Sequence, residues 1–224
     1  MKNKVAVSIY VFNFLEIGKK IEELINVGID WIHVDIMDGN FVNNYALCQK
    51  FCKDIKEKYS NITIDAHLMC LEPQRYIDSF AQSGVTYFNF HFESVTDKSE
   101  ENIINIIKNI HSKNMQAVMA INPETNPSII NKYLSVLDGV MCMSIKPGFN
   151  GQKLNELVYD NLKYLSDYKK DKNLNFFIQV DGGVREETYQ KLKQCGAEVM
   201  VVGAFINVAN NQLIEQIKKI EGGL

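Results

Sequence analysis

Arginine is nearly absent from this chain. Only Arg75 and Arg185 occur among 224 residues, and 24 basic against 27 acidic side chains leave a formal net charge of −3. The lysines form no basic stripe, so nucleic acid is not an expected partner. Proline is scarce at 4 residues and glycine stands at 13, which excludes collagen-like and proline-rich disordered classes. No run of about 18 apolar residues exists, so no membrane span is expected. The stretch from Met1 to Phe14 has two lysines and a short apolar run. It lacks a small-residue cleavage site and reads as a strand rather than a secretion signal. The five cysteines, Cys48, Cys52, Cys70, Cys142 and Cys195, are odd in number and form no Cys-x-x-Cys pair. They read as buried or half-buried thiols of a reducing cytosol, with Cys48 and Cys52 on one helix face. The expected compartment is the cytoplasm.

What is there is ordinary globular material, 46% hydrophobic and 23% charged. The length suits one large α/β domain, and it can bury a core without disulfides or metal staples. Eight β-rich runs alternate with helical periods: Val5–Ile9, Trp31–Asp35, Thr63–His67, Tyr87–Phe90, Gln116–Ile121, Gly139–Ser144, Phe176–Val180 and Val199–Val202. The first helix shows the clearest stripe, Leu15, Ile17, Ile21, Leu24, Ile25 and Val27. Asn13 and Glu16 ahead of it make a capping-box pattern. Pro73 and Pro127 fit the first position of two later helices. Three helices end in glycine two residues before a strand, at Gly28, Gly84 and Gly196. A repeated helix–glycine–strand unit requires crossovers and hence parallel strands. Eight units without a linker predict a closed (β/α)8 TIM barrel, a single domain over 1–224. An open doubly wound sheet is the alternative, but a Gly-x-Gly-x-x-Gly after the first strand is missing.

In such a barrel, function sits where strands pass into the loops that follow them. Those positions hold Ser8; His33 and Asp35; Asp65 and His67; His91 and Glu93; Ser144; and Asp181. His33 and Asp35 are two apart on one strand and share a side. With His67 and Asp181 they make a nitrogen-and-oxygen ligand set for one divalent metal, Zn, Fe, Mn or Co. Each alone would be read as a polar strand end meeting solvent; four together favour the metal. Late glycine loops follow: Gly148, Phe149, Asn150 and Gly151 after strand 6, Gly182 and Gly183 after strand 7, and Gly203 with Ala204 after strand 8. Clustered there, they predict backbone binding of a phosphate. Met37, Met69 and Met143 stand beside the ligand positions, either as core packing or as walls of the site.

The runs Val34-Asp35-Ile36-Met37-Asp38-Gly39-Asn40-Phe41-Val42, Asp65-Ala66-His67-Leu68-Met69, Asn122-Pro123-Glu124-Thr125, Pro147-Gly148-Phe149-Asn150-Gly151-Gln152 and Val180-Asp181-Gly182-Gly183 resemble the signatures of the ribulose-phosphate 3-epimerase family. The resemblance runs in register over essentially the whole chain. It implies the barrel, a divalent metal held by His33, Asp35, His67 and Asp181, and epimerisation at C3 of a small phosphorylated ketose. It makes Asp35 and Asp181 the acid–base pair and puts Ser8 and His67 against the substrate, with the late glycines and Ala204 at its phosphate. The methionines become soft apolar walls excluding water. It also implies a homo-oligomer. The chain departs from the family's usual wording at Asn40, Asn43, Lys146, Asn150 and Ala204, all around the substrate rather than the metal. The wording of Asn122–Thr125 and of Glu187 to Leu192 resembles the branch acting on six-carbon allulose 6-phosphate. Related barrel decarboxylases carry a lysine where Met37 stands, which discounts that chemistry. Intact ligands and carboxylates argue against a non-catalytic phosphosugar-binding barrel.

Overall fold

The computed structural model describes residues 4–203 together with 217, 220 and 221. Eight parallel strands close into a barrel in sequence order: β1 (Lys4–Ser8), β2 (Trp31–Met37), β3 (Thr63–Met69), β4 (Tyr87–His91), β5 (Gln116–Ile121), β6 (Gly139–Met143), β7 (Phe177–Asp181) and β8 (Val199–Val202). Closure is made by β1 and β8, from Lys4↔Val199 to Val7↔Val202. Each expected strand is present. β2 and β3 run two residues beyond their expected ends, so His33, Asp35 and His67 stand within strands.

Six α-helices are described between the strands: α1 (Ile17–Asn26), α2 (Gln49–Lys58), α3 (Ile77–Ala81), α4 (Glu100–Ser112), α5 (Leu157–Asp171) and α6 (Tyr189–Gln194). Their apolar stripes and the outward strand residues, such as Val7, Ile32, Val34, Ile64, Phe88 and Phe90, form one buried layer around the barrel. Gly28, Gly84 and Gly196 have φ of +92°, +72° and +110°, the left-handed conformation the repeated helix–glycine–strand unit called for. No described helix is long and apolar enough to cross a membrane.

Three local expectations are corrected. α1 begins two residues after Leu15, which is 95% exposed. The Asn13 side chain accepts from the Leu15 N–H at 3.1 Å, closing a local turn rather than a capping box. Between β5 and β6 there is a 3-10 helix, Pro127–Tyr133, instead of an α-helix. Pro127 opens it, with the Asn126 side chain accepting from the Ser128 N–H. Cys48 precedes α2 as its exposed cap residue, whereas Cys52 is buried one turn on, so the two thiols do not share a surroundings. Burial pushes the Cys52, Cys70 and Cys142 thiols up to about 12.

Alternation along the strands puts every second residue inside the barrel. From bottom to top β2 supplies Trp31, His33, Asp35 and Met37, and β3 matches it in register: His33↔Asp65, Asp35↔His67, Met37↔Met69. The floor is aromatic. Trp31 stacks on Tyr87 at 4.7 Å between centroids and meets the edge of Phe177 at 5.8 Å. Asp65, Asn89 and Gln179 form the next tier, and the ligand-type residues stand above it.

Candidate active site

His33, Asp35, His67 and Asp181 converge, each offering a ligand atom within 4.8 Å of the others. His33 Nε2 lies 3.6 Å from Asp35 Oδ1 and 3.8 Å from Asp181 Oδ2. His67 Nδ1 lies 3.2 and 3.6 Å from the same two oxygens. Ligands about 2.1 Å from a tetrahedral ion stand roughly 3.4 Å apart along each edge, so these spacings suit one small divalent cation. His33 Nε2 is moreover buried and has no hydrogen-bond partner. Such an orphan is costly in a finished core and is the donor a cation would take up.

The tier beneath aims these ligands. His33 Nδ1 lies 2.8 Å from Asp65 Oδ2, so its proton belongs on Nδ1 and its lone pair on Nε2. Gln179 donates to the same Asp65 oxygen at 2.7 Å, and Asn89 donates to the other at 3.4 Å. The Ser8 hydroxyl donates to Asp35 Oδ2 at 2.7 Å, leaving Oδ1 toward the cluster. The Ser144 hydroxyl donates to the carbonyls of Asp181, at 2.8 Å, and Gly182, pinning the end of β7.

Charge is concentrated here. Burial opposes ionisation of Asp35, but the two histidines outweigh it and hold its carboxyl well below the usual range. Burial, aided by the charges of Asp35 and Asp65, pushes Asp181 up to about 7. Burial also opposes the charged form of His33, yet Asp65 and Asp35 hold it well above 6.5. His67 goes the other way, pushed by burial down to about 4. The Asp65 and Asp35 carboxylates thus favour positive charge beside His33, and a bound cation would supply that charge in place of a proton on Nε2.

One cavity opens above this cluster. It is lined by Ser8, Asp35, Met37, Met69, Met143, Gly148, Phe149, Asn150, Gly151, Asp181, Gly182, Gly183 and Gly203, among others. Polar chemistry and soft apolar walls therefore share one space. Gly182 has φ of +99°, and a Cβ there would stand 2.4 Å from Ile145 Cγ1, so this turn admits glycine alone. Asn44 donates to the Gly148 carbonyl at 2.8 Å and to the Tyr10 hydroxyl at 3.0 Å, tying together the loops after β1, β2 and β6.

One expected position differs, and one is not described. His67 is fully buried and does not line the cavity; it meets the site from behind, through Nδ1. Ala204 lies outside the described residues. Sequence reasoning missed the supporting roles of Asp65, Asn89 and Gln179, whose signal was a polar residue at every second position of three strands. It also missed Arg185, the single basic side chain lining the cavity among the described residues. Arg185 makes no ion pair with a described residue.

The model of the ribulose-phosphate 3-epimerase family matches residues 4–207. The chain is similar to the ribulose-phosphate 3-epimerase of Schizosaccharomyces pombe, at 34% identity covering 91% of this chain and 86% of that one. It is similar to the Bacillus subtilis protein of the same name at 33% identity, covering 91% of each. Among solved structures, a 3-hexulose-6-phosphate synthase shares the fold with a TM-score of 0.68 at 15% identity, over 99% of both chains.

Proposed function

Since the chain belongs to the ribulose-phosphate 3-epimerase family, and so to the epimerases acting on carbohydrates, we propose that it interconverts D-ribulose 5-phosphate and D-xylulose 5-phosphate. The carrying observation is that Asp35 and Asp181, on β2 and β7, open into the same cavity as the late glycine loops. Inversion at C3 requires one group to take a proton and another to return one on the opposite face. Asp35 and Asp181 approach the cavity from different strands and suit that pair. Positioned carboxylates of this kind contribute typically about 10²–10⁴-fold.

The remaining residues bind and orient. Backbone N–H groups around Gly148, Gly151, Gly182, Gly183 and Gly203 would hold the phosphate, with Arg185 adding a cation at its edge. The phosphate is remote from C3, so its binding energy fixes the angle at which C3 meets the carboxylates. Ser8 holds one Asp35 oxygen by a hydrogen bond and so fixes the angle of the carboxylate at the cavity. Met37, Met69 and Met143 exclude water around the reacting carbons without competing for protons. His33, Asp35, His67 and Asp181 would hold the divalent metal. When bound it supplies Lewis-acid stabilisation, worth several kcal/mol, for the negative charge on the ketose oxygens.

The six-carbon reading is supported by the wording of Asn122–Thr125 and of Glu187 to Leu192. Side-by-side turnover of ribulose 5-phosphate and allulose 6-phosphate decides between them. The pentulose reading predicts the larger kcat/KM for ribulose 5-phosphate. A larger value for allulose 6-phosphate overturns it, and turnover of neither overturns both.

A further inference from the structure

His67 has two ring nitrogens, and only Nδ1 faces the ligand cluster. Its Nε2 lies 2.8 Å from the Nε2 of His91, at the end of β4. The two rings meet edge to edge, with centroids 5.0 Å apart and planes at 28°, and both side chains are fully buried. His91 Nδ1 in turn lies 3.3 Å from Glu93 Oε2. The other Glu93 oxygen accepts from the Asn122 backbone N–H at 2.7 Å and from the Thr125 hydroxyl. Burial disfavours the Glu93 carboxylate, but the hydrogen bonds from His91, Thr125 and Asn122 outweigh it and hold its pKa below 4.5.

Two imidazole nitrogens facing each other bond only when one carries the proton and the other a lone pair. With both rings neutral there are two ways to place it. In the first, the His67 proton sits on Nε2 and points at His91 Nε2, so the His91 proton sits on Nδ1 and points at Glu93. In the second, the His67 proton sits on Nδ1 and points at Asp35 Oδ1, 3.2 Å away. His91 then donates from Nε2, and its Nδ1 lone pair faces the Glu93 carboxylate, two acceptors 3.3 Å apart with no proton between them. The ionised carboxylate, an acceptor only, favours the first arrangement. That arrangement leaves the His67 Nδ1 lone pair pointing at the ligand cluster.

We infer that His91 and Glu93 are positioning residues, which set the proton of His67 on Nε2 and so present Nδ1 to a divalent cation. The inference rests on the metal reading of His33, Asp35, His67 and Asp181. The two histidines are thereby held in opposite tautomers. His33 is set by Asp65 from below and offers Nε2; His67 is set by Glu93 through His91 from the side and offers Nδ1. Glu93 also anchors the loop after β5 through Asn122 and Thr125, so the position of that loop and the direction of a ligand lone pair share one carboxylate.

The test uses Zn²⁺ as the probe and the intact chain. Its affinity is measured by competition with a chromophoric chelator for the wild type and for His91→Leu, His91→Gln, Glu93→Leu and His67→Ala. Loss of an orienting partner typically costs about 10–100-fold in metal affinity. His91→Leu and Glu93→Leu are expected to weaken Zn²⁺ by that factor. His91→Gln, whose amide oxygen still accepts from His67 Nε2–H, is expected to stay within a few-fold of wild type. A purely structural role would not distinguish Gln from Leu in this way. A second readout needs no variant: ¹⁵N–¹H correlation on the Zn²⁺-loaded wild type should show the His91 proton on Nδ1. Its finding on Nε2 overturns the inference even where a variant fails to fold. If His67→Ala loses Zn²⁺ while His91→Leu keeps it, the inference falls alone. If His67→Ala binds Zn²⁺ as wild type does, the metal reading falls and the inference with it.

Discussion

The Nδ1 atom of His33 stands 2.8 Å from a carboxylate oxygen of Asp65, with both side chains fully buried. Asp65 also receives Gln179 and Asn89, so its orientation is fixed from three sides. Replacing Asp65 with Ala removes the group that keeps the His33 proton away from the ligand cluster. Metal affinity should fall about 10–100-fold, as read by titration against a chelator, with turnover falling alongside. Unchanged affinity in a folded variant would show that His33 needs no orienting partner.

His33→Ala and His67→Ala each remove one of four ligand groups. Metal content after dialysis and turnover should decline together in both, because ligand loss and metal loss are one event. Metal analysis paired with an epimerisation assay checks this. Full activity in a chelated sample verified as metal-free would exclude the metal from the reaction.

The phosphate assignment is best tested away from the glycines. A side chain at Gly182 would meet Ile145, so loss of activity there would report misfolding as readily as lost binding. Arg185 is exposed and its removal leaves the loops intact. Arg185→Gln should raise KM for the phosphorylated sugar about tenfold, the order expected for one charged hydrogen bond, with kcat little changed. An unchanged KM would remove Arg185 from the phosphate site.

Asp38 holds the loop after β2. Its Oδ1 accepts from the N–H groups of Asn40 and Phe41 at 2.8 and 2.9 Å, and its Oδ2 from that of Leu71 at 2.9 Å. Burial raises its pKa, but these bonds outweigh burial and hold it below 3.8. The sign follows: a carboxyl depressed in the folded state contributes stability above its unfolded value, near pH 4, and loses it as pH falls through the folded value. Asp38→Ala should therefore destabilise the protein at pH 7, by about 1–3 kcal/mol, and by less as pH drops below 4. Denaturant unfolding at a series of pH values measures this. A difference constant down to pH 2 would contradict it.

The barrel was legible because its signals are local and repeated. Gly28, Gly84 and Gly196 close helices in the same way, and the strand runs are separated by helical periods. The cluster was legible because His33 and Asp35 stand two apart and His67 and Asp181 fall at comparable heights on other strands. The starting point of α1 was not, because Leu15 continues the apolar spacing of the helix while its backbone is held in a turn by Asn13. Nor was the supporting tier. Asn89 and Gln179 are separated by 90 positions in sequence and meet only because the barrel closes, at 3.3 Å. His91 and Glu93 were visible as strand-end polar residues, but their link to His67 depends on which way three side chains turn.

The central claim is that Asp35 and Asp181 serve opposite faces of C3, and isotope exchange in deuterated water tests it most directly. Metal content is first measured in wild type, Asp181→Asn and Asp35→Asn, because asparagine is a poorer ligand than aspartate. Each metal-replete protein is then given ribulose 5-phosphate or xylulose 5-phosphate, and C3 deuterium is followed alongside inversion. The account predicts that Asp181→Asn loses net epimerisation by several orders of magnitude yet still exchanges the C3 proton of one epimer. Asp35→Asn should exchange that of the other. Epimerisation by metal-replete Asp181→Asn at near the wild-type rate would contradict the two-carboxylate mechanism.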